Sequence, residues 1–254
     1  MAGPAYAAGM REGDGQLQVR RAADRFRTRT DWLDSAHSFS FGPNYDPANV
    51  GHGRLMVNNH EVVHSGSGFD DHPHADAEIV TWVLSGSLVH TDSAGHRGLV
   101  RRGLAQRMSA GRGIVHAEVN DAYRLDPSAP RAPVEYVQMW VRPDEPGAEP
   151  SYQQADFDEA ELERDWVAVA SGHQDALVRI GSSATLWVIR LAPGVSRIVP
   201  GGDAVHLYLA AGGCTVEEAG PLVAGDAVRF TGHDPVRVTG GFRTAELLCW
   251  QMSR

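Results

Sequence analysis

In the stretch DDHPHADAEIV (70–80), His72 and His74 stand one residue apart, just before a run that reads as a β-strand. Residues i and i+2 of a strand point to one face, about 6.6 Å apart along it, so the pair can converge on a single ion. The spacing alone proves little: with 12 His in 254 residues, about 0.6 such pairs arise by chance. Pro73 between them removes a ladder donor, which places the pair at a strand end or a sheet edge. A second pair gives the first its weight. In SAGRGIVHAEVN (109–120), His116 and Glu118 repeat the i, i+2 geometry after a glycine-rich turn. The 42 residues from His74 to His116 leave room for strands that bring the two pairs face to face across a barrel. Three imidazoles and one carboxylate suit iron, manganese, nickel or copper with positions left open, whereas structural zinc favours a closed, cysteine-containing set. Glu78, four residues past His74, is a competing carboxylate on the same parity, with a bulge or an outward ion pair as its alternatives.

The elements that must position these residues are strands. Alternating or β-branched runs recur in RLMVNN (54–59), EIVTWVL (78–84), SLVHT (87–91), LAQRMS (104–109) and EYVQMWV (135–141). Between them stand SGSGFDDHP, DSAGH, RRG and SAGRG, whose residues initiate turns or tolerate positive φ. Short strands at this spacing argue for an antiparallel sandwich or barrel. The segment RPDEPGAEPSYQQADFDEAELERDW changes character: three prolines precede an acidic stretch able to form one short helix over 158–164. The strand rhythm then resumes in LWVIRL (186–191), VHLYLA (205–210), AVRF (227–230) and AELLCW (245–250). GLVRRGLAQRMSAG (98–111) and GPLVAGDAVRFTG (220–232) echo each other, which suggests two copies of one barrel. The second half has no His-x-His, so a metal would sit in the first copy. The expected division is a tail over 1–15, a metal-bearing domain over 16–142, a connector over 143–165 and a metal-free domain over 166–254. Trp82 and Trp140 alternate with apolar neighbours and read as core rather than as faces for stacking a substrate. Phe39, Phe41 and His37 in HSFSF read as turn and core residues, with edging of the pocket as the alternative, and Gly111 and Gly113 read as a tight turn rather than a phosphate loop, since no helix follows GRG.

Composition narrows the partners. A balance of 23 basic against 32 acidic residues gives a net charge of −9, which repels phosphate backbones and anionic lipid. Direct nucleic-acid binding is thereby disfavoured, and the basic cluster RRAADRFRTR (20–29) reads as a solvated face. Only Cys214 and Cys249 are present, too few for a disulfide framework, which fits a reducing cytoplasm. The N-terminal stretch lacks the basic start and apolar core of a signal peptide. No run approaches the roughly 20 apolar residues that span a bilayer. A cytoplasmic monomer is expected.

With these residues in view, the sequence resembles the pirin family of bicupins, and within it the bacterial branch described as quercetin dioxygenases. WLDSAHSFSFGPNYDP (32–47), GFDDHPHADAEIVTWVLSGSLVHTDSAG (68–95) and QRMSAGRGIVHAEVN (106–120) carry the resemblance across most of the first half. In the second half it rests on VHLYLAAGGCTVE and LVAGDAVRF. The resemblance implies two cupin-type β-barrels in tandem, all-β with few short helices. It also implies one metal in the first barrel, on ligands matching His72, His74, His116 and Glu118, with the Glu78 position left out. Ala75, Ala77 and Ala117 stand where the family more often has an arginine, a larger apolar residue and a serine, which bears on the pocket lining. The implied cofactor is one divalent transition metal, iron first, with nickel, copper, manganese, cobalt or zinc compatible. The implied activity is dioxygenation of a flavonol with release of carbon monoxide, Glu118 serving as catalytic base. The family's second role, a redox-sensing regulator that docks onto a protein partner, uses the same four ligands and stays open from the sequence.

Overall fold

The computed structural model describes residues 15–253, so the expected tail lies outside them apart from Gly15. The described residues form twenty-one strands, two 3-10 turns and one short helix. A seven-stranded antiparallel sheet runs in the order Ser151–Asp156, Leu104–Ser109, Glu78–Ser85, Val134–Val141, Leu55–Val63, Leu33–His37, Phe26–Arg29. It faces a four-stranded sheet ordered Gly68–His74, Ile114–Val119, Ser87–Asp92, Arg97–Arg101. The second half repeats the plan. A six-stranded sheet, Gln16–Arg20, Ala227–Thr231, Ala204–Ala211, Ala245–Met252, Ala184–Leu191, Val167–Ser171, faces four strands, Ser196–Ile198, Arg237–Gly240, Gly213–Val216, Gly220–Val223. The tandem all-β barrels implied by the sequence are therefore present, and each run quoted above is a strand.

Three layers of core hold this arrangement. Inside the first barrel, Leu33, Val63, Val83 and Tyr136 of the large sheet pack on Leu88 and Val100 of the small one. Inside the second, Ile189, Leu207 and Leu247 pack on Cys214, Val216 and Val238. Between the barrels the two large sheets lie back to back: Val80, Trp82, Leu84, Val137 and Met139 meet Leu186, Val188, Tyr208, Leu248 and Trp250. Burial of both faces explains why EIVTWVL and AELLCW read as nearly continuous apolar runs. Each fully buried large side chain contributes about 1.5–3 kcal/mol.

The pairing crosses the expected domain limits in two places. Gln16–Arg20 pairs with Ala227–Thr231 of the second barrel, although it falls within the segment assigned to the first. Ser151–Asp156, inside the expected connector, pairs with Leu104–Ser109 of the first barrel. In both cases an otherwise open sheet edge gains a ladder partner. The connector's helix forms over Glu159–Arg164, capped by Asp158, which accepts from the Ala160 amide at 2.7 Å. GFDDH, taken from sequence as turn, is part of the strand Gly68–His74, because pairing with Ile114–Val119 overrides its local turn preference.

The basic cluster is not simply a solvated face. Arg25 donates to the Tyr208 hydroxyl at 2.6 Å and to the carbonyls of Ala36 and Asn58, tying the first barrel to the second. Arg21 pairs with the buried Asp226 at 2.8 Å. Among the described residues no helix is long and apolar enough to cross a membrane.

Candidate metal centre

The inner face of the four-stranded sheet carries the candidate metal-binding residues. Gly68–His74 is its edge strand, where Pro73 costs no ladder bond from the solvent side. His116 lies directly opposite His72, and Ile114 opposite His74. The register then shifts between His116 and Glu118, a bulge that sets Glu118 opposite Phe69. On the other flank, His116 faces Asp92 and Glu118 faces His90. Three neighbouring strands thus each contribute an i, i+2 pair to one face: His72 and His74, His116 and Glu118, His90 and Asp92.

His72, His74 and His116 offer ring nitrogens that all lie within 4.8 Å of one another. Their ring centroids are 4.4, 4.8 and 5.0 Å apart. His72 donates from Nδ1 to the Asp70 carbonyl at 2.7 Å, which leaves its Nε2 as a lone pair. His74 Nε2 and His116 Nε2 are buried with no hydrogen-bond partner. Orphaned imidazole nitrogens are costly unless something occupies the space between them, and a transition-metal ion fits this donor set. Burial and the neighbouring histidines push His74 down to about 4 and His116 down to about 2, so both rings are neutral and ready to ligate near pH 7.

Glu118 does not join that compact cluster. Its carboxylate lies within 4.8 Å of ring nitrogens of His116 and His90, in a second group that shares only His116 with the first. Gln138 Nε2 donates to Glu118 Oε2 at 2.6 Å, and Thr81 Oγ1 approaches Oε1 at 3.5 Å. Trp140 Nε1 donates to Gln138 Oε1 at 3.1 Å. An indole N–H can only donate, so the Gln138 oxygen must face Trp140 and its amide nitrogen must face Glu118. Burial pushes the Glu118 carboxyl up to about 7, and the Gln138 bond only partly offsets this. A carboxyl poised there can hold or release a proton near neutral pH.

Glu78 belongs to neither group. It is buried, accepts from the Ser109 hydroxyl at 2.7 Å, and lines a groove of about 590 Å³ with Asp144, His173 and Arg179. Trp82 is fully buried between the barrels, as its pattern implied. Trp140 is core in part only: half-buried, it packs against the cluster of Ala77, Ile79, Met108, Ala110 and Ile114, with its ring centroid 4.7 Å from that of His74 and edge-on to Phe41 at 5.7 Å. His37 stacks on Phe41 at 4.9 Å. Beside His74, residues Pro73, Ala75, Ile114 and Val115 border an open depression of about 490 Å³. Ala75 in this lining is a small side chain that leaves the approach wide, whereas Ala77 is buried in the core with Ile79 and Met108.

His90 and Asp92 are the functional candidates that sequence reading missed. Their signal was present: HTD (90–92) has the same i, i+2 spacing as HPH and HAE. Both side chains are fully buried. Asp92 accepts from the backbone amides of Ala94 and His96 at 3.0 Å and from the His96 ring, and these bonds hold its carboxyl below the usual range despite its desolvation.

Comparison with known proteins bears on the family and the fold. The family model described as Pirin matches residues 17–141. A Mycobacterium tuberculosis protein provisionally named quercetin 2,3-dioxygenase is 49% identical over 239 residues, spanning 93% of this chain and 95% of its own. The Escherichia coli K12 protein named quercetin 2,3-dioxygenase is 42% identical over 142 residues, 56% of this chain and 58% of its own. The crystal structure of the bacterial pirin YhhW from Escherichia coli in complex with nickel(II) superposes with a TM-score of 0.82 at 28% identity, covering 93% of this chain and 99% of that one. Identity that runs through both halves, together with the paired barrels, has one explanation: this chain belongs to the pirin family.

Proposed function

We propose that the chain is a metal-dependent dioxygenase of flavonol-type substrates, with His72, His74, His116 and Glu118 as the metal's ligands. The observation that carries this reading is the convergence of three imidazoles, two with orphaned Nε2 atoms, beside a buried carboxyl and an approach from solvent. Iron is the first candidate, and nickel, copper, manganese, cobalt and zinc suit the same donors. Bound there, such an ion would supply Lewis acidity toward a substrate hydroxyl.

The chain's own residues do the rest. Glu118, held by Gln138, takes the proton of the flavonol 3-hydroxyl at a carboxylate oxygen, which leaves the electron-rich anion that dioxygen attacks. Trp140 fixes the Gln138 amide and offers an apolar face beside His74 on which the flat substrate can lie. In the overall reaction both oxygen atoms of dioxygen enter the products, and one ring carbon leaves as carbon monoxide. The second barrel contributes scaffold, since its interior is filled by apolar side chains.

The test is loss of the near-visible flavonol band, with trapping of carbon monoxide, for protein loaded with each metal in turn. Glu118→Ala is expected to abolish turnover while His173→Ala, at an exposed residue of the other groove, retains it. Equal activity in the two variants would show that the assignment of Glu118 is wrong, and no substrate loss with any metal would overturn the enzyme reading and favour a regulator.

A further inference from the structure

The buried pair His90 and Asp92 has no part in that mechanism, yet it sits directly behind the ligand His116. His90 Nε2 is 3.3 Å from Asp92 Oδ2, and His90 Nδ1 is 3.5 Å from His116 Nδ1. Side-chain exposure of both His90 and Asp92 is 0%. Tyr152 covers the pair, with its ring centroid 4.8 Å from His90 and 5.5 Å from His96.

Hydrogen-bond roles along this chain follow from one end. An ionised carboxylate can only accept, so His90 must donate to it from Nε2. A neutral His90 then has a lone pair at Nδ1, and His116 must donate to that lone pair from its own Nδ1. His116 is left with its lone pair on Nε2, the buried atom that faces no protein partner. We propose that Asp92 and His90 form a positioning relay that fixes His116 in the tautomer able to bind metal, with His90 itself outside the ligand set. The inference rests on the metal centre proposed above. It also separates the two overlapping groups: His90 lies within reach of a metal together with His116 and Glu118, but its ring is committed to Asp92 and His116.

The decisive measurement is imidazole 15N NMR of the zinc-loaded wild-type chain. Expected is a proton on Nε2 of His90 and on Nδ1 of His116, with zinc on His116 Nε2. A proton on His90 Nδ1, or zinc bound to either His90 nitrogen, would overturn the relay. In parallel, zinc affinity is measured by chelator competition for His90→Ala and for His72→Ala. Removal of a group that orients a ligand typically weakens binding about 10–100-fold. His90→Ala is expected in that range, and binding within about twofold of wild type would sink the proposal. If His72→Ala binds zinc as wild type does, the metal centre itself fails rather than the relay alone. Should His90→Ala not fold, the wild-type tautomers still decide.

Discussion

Glu246→Gln should test whether the two barrels are held as one unit by the charged cluster at their seam. Glu246 is 4% exposed and receives hydrogen bonds from Trp82 Nε1 at 2.8 Å and Arg102 Nη1 at 3.2 Å, both from the first barrel. Arg190 of the second barrel, 2% exposed, lies 3.2 Å from Glu246 through Nε and also pairs with Glu159 on the helix. The carboxamide introduced by the substitution still accepts from Trp82, but its NH2 cannot accept from Arg102 or Arg190, so the change removes the charge and the acceptor that faces those two guanidinium groups. Breaking a buried ion pair typically costs about 3–5 kcal/mol. Glu159 is half-exposed and stays as a partner for Arg190, which puts the expected loss at the lower end, about 3 kcal/mol. In an Arg190→Met background the same substitution leaves no buried guanidinium stranded, since Arg102 is half-exposed and keeps Glu159 nearby, and should cost about 1 kcal/mol, a coupling of about 2 kcal/mol. Equilibrium urea unfolding followed by circular dichroism and by tryptophan fluorescence gives these values, and the two probes should trace one transition. Effects that add within about 0.5 kcal/mol would refute the argument that Arg190 and Glu246 act as a pair.

Other consequences are equally direct. Trp140 lies against His74, so nickel(II) should quench part of the tryptophan fluorescence, and Trp140→Phe should remove most of that quench; an unchanged quench would place the metal elsewhere. Buried His206 has both ring nitrogens unpartnered, and desolvation followed by Arg229, His52 and Arg25 holds it well below 6.5. The unfolded chain takes up that proton below about pH 6.5 while the folded chain does not, so stability should fall as pH drops through about 6.5. His74 and His116 contribute to the same fall, so His206→Leu should make this part of the Tm profile shallower without abolishing it, whereas an identical slope would assign it wholly to the other histidines. Gly111 has φ of +47° and a Cβ there would meet the Ala148 carbonyl oxygen at 2.0 Å. Gly111→Ala should therefore cost at least about 2 kcal/mol by urea unfolding, and a loss under about 0.5 kcal/mol would show that the turn gives way freely.

The sequence by itself determined the strands, because period-two patterning and turn residues are local signals: EIVTWVL, SLVHT and EYVQMWV are strands as they read. It also exposed the two pairs HPH and HAE, since their spacing along a strand fixes a common face. Which strands lie side by side was not legible, because pairing is a long-range property of the folded sheet. Only the tertiary structure set His116 between His72 on one side and Asp92 on the other, and so turned HTD from an unremarked strand end into part of the site. The same holds for Trp140, whose alternating pattern fits a core residue but whose face opens beside His74. It holds for Gln16–Arg20 and Ser151–Asp156 as well, each completing a sheet edge away from where its place in the chain suggested. Local chemistry wrote the elements, and burial of shared faces chose their neighbours.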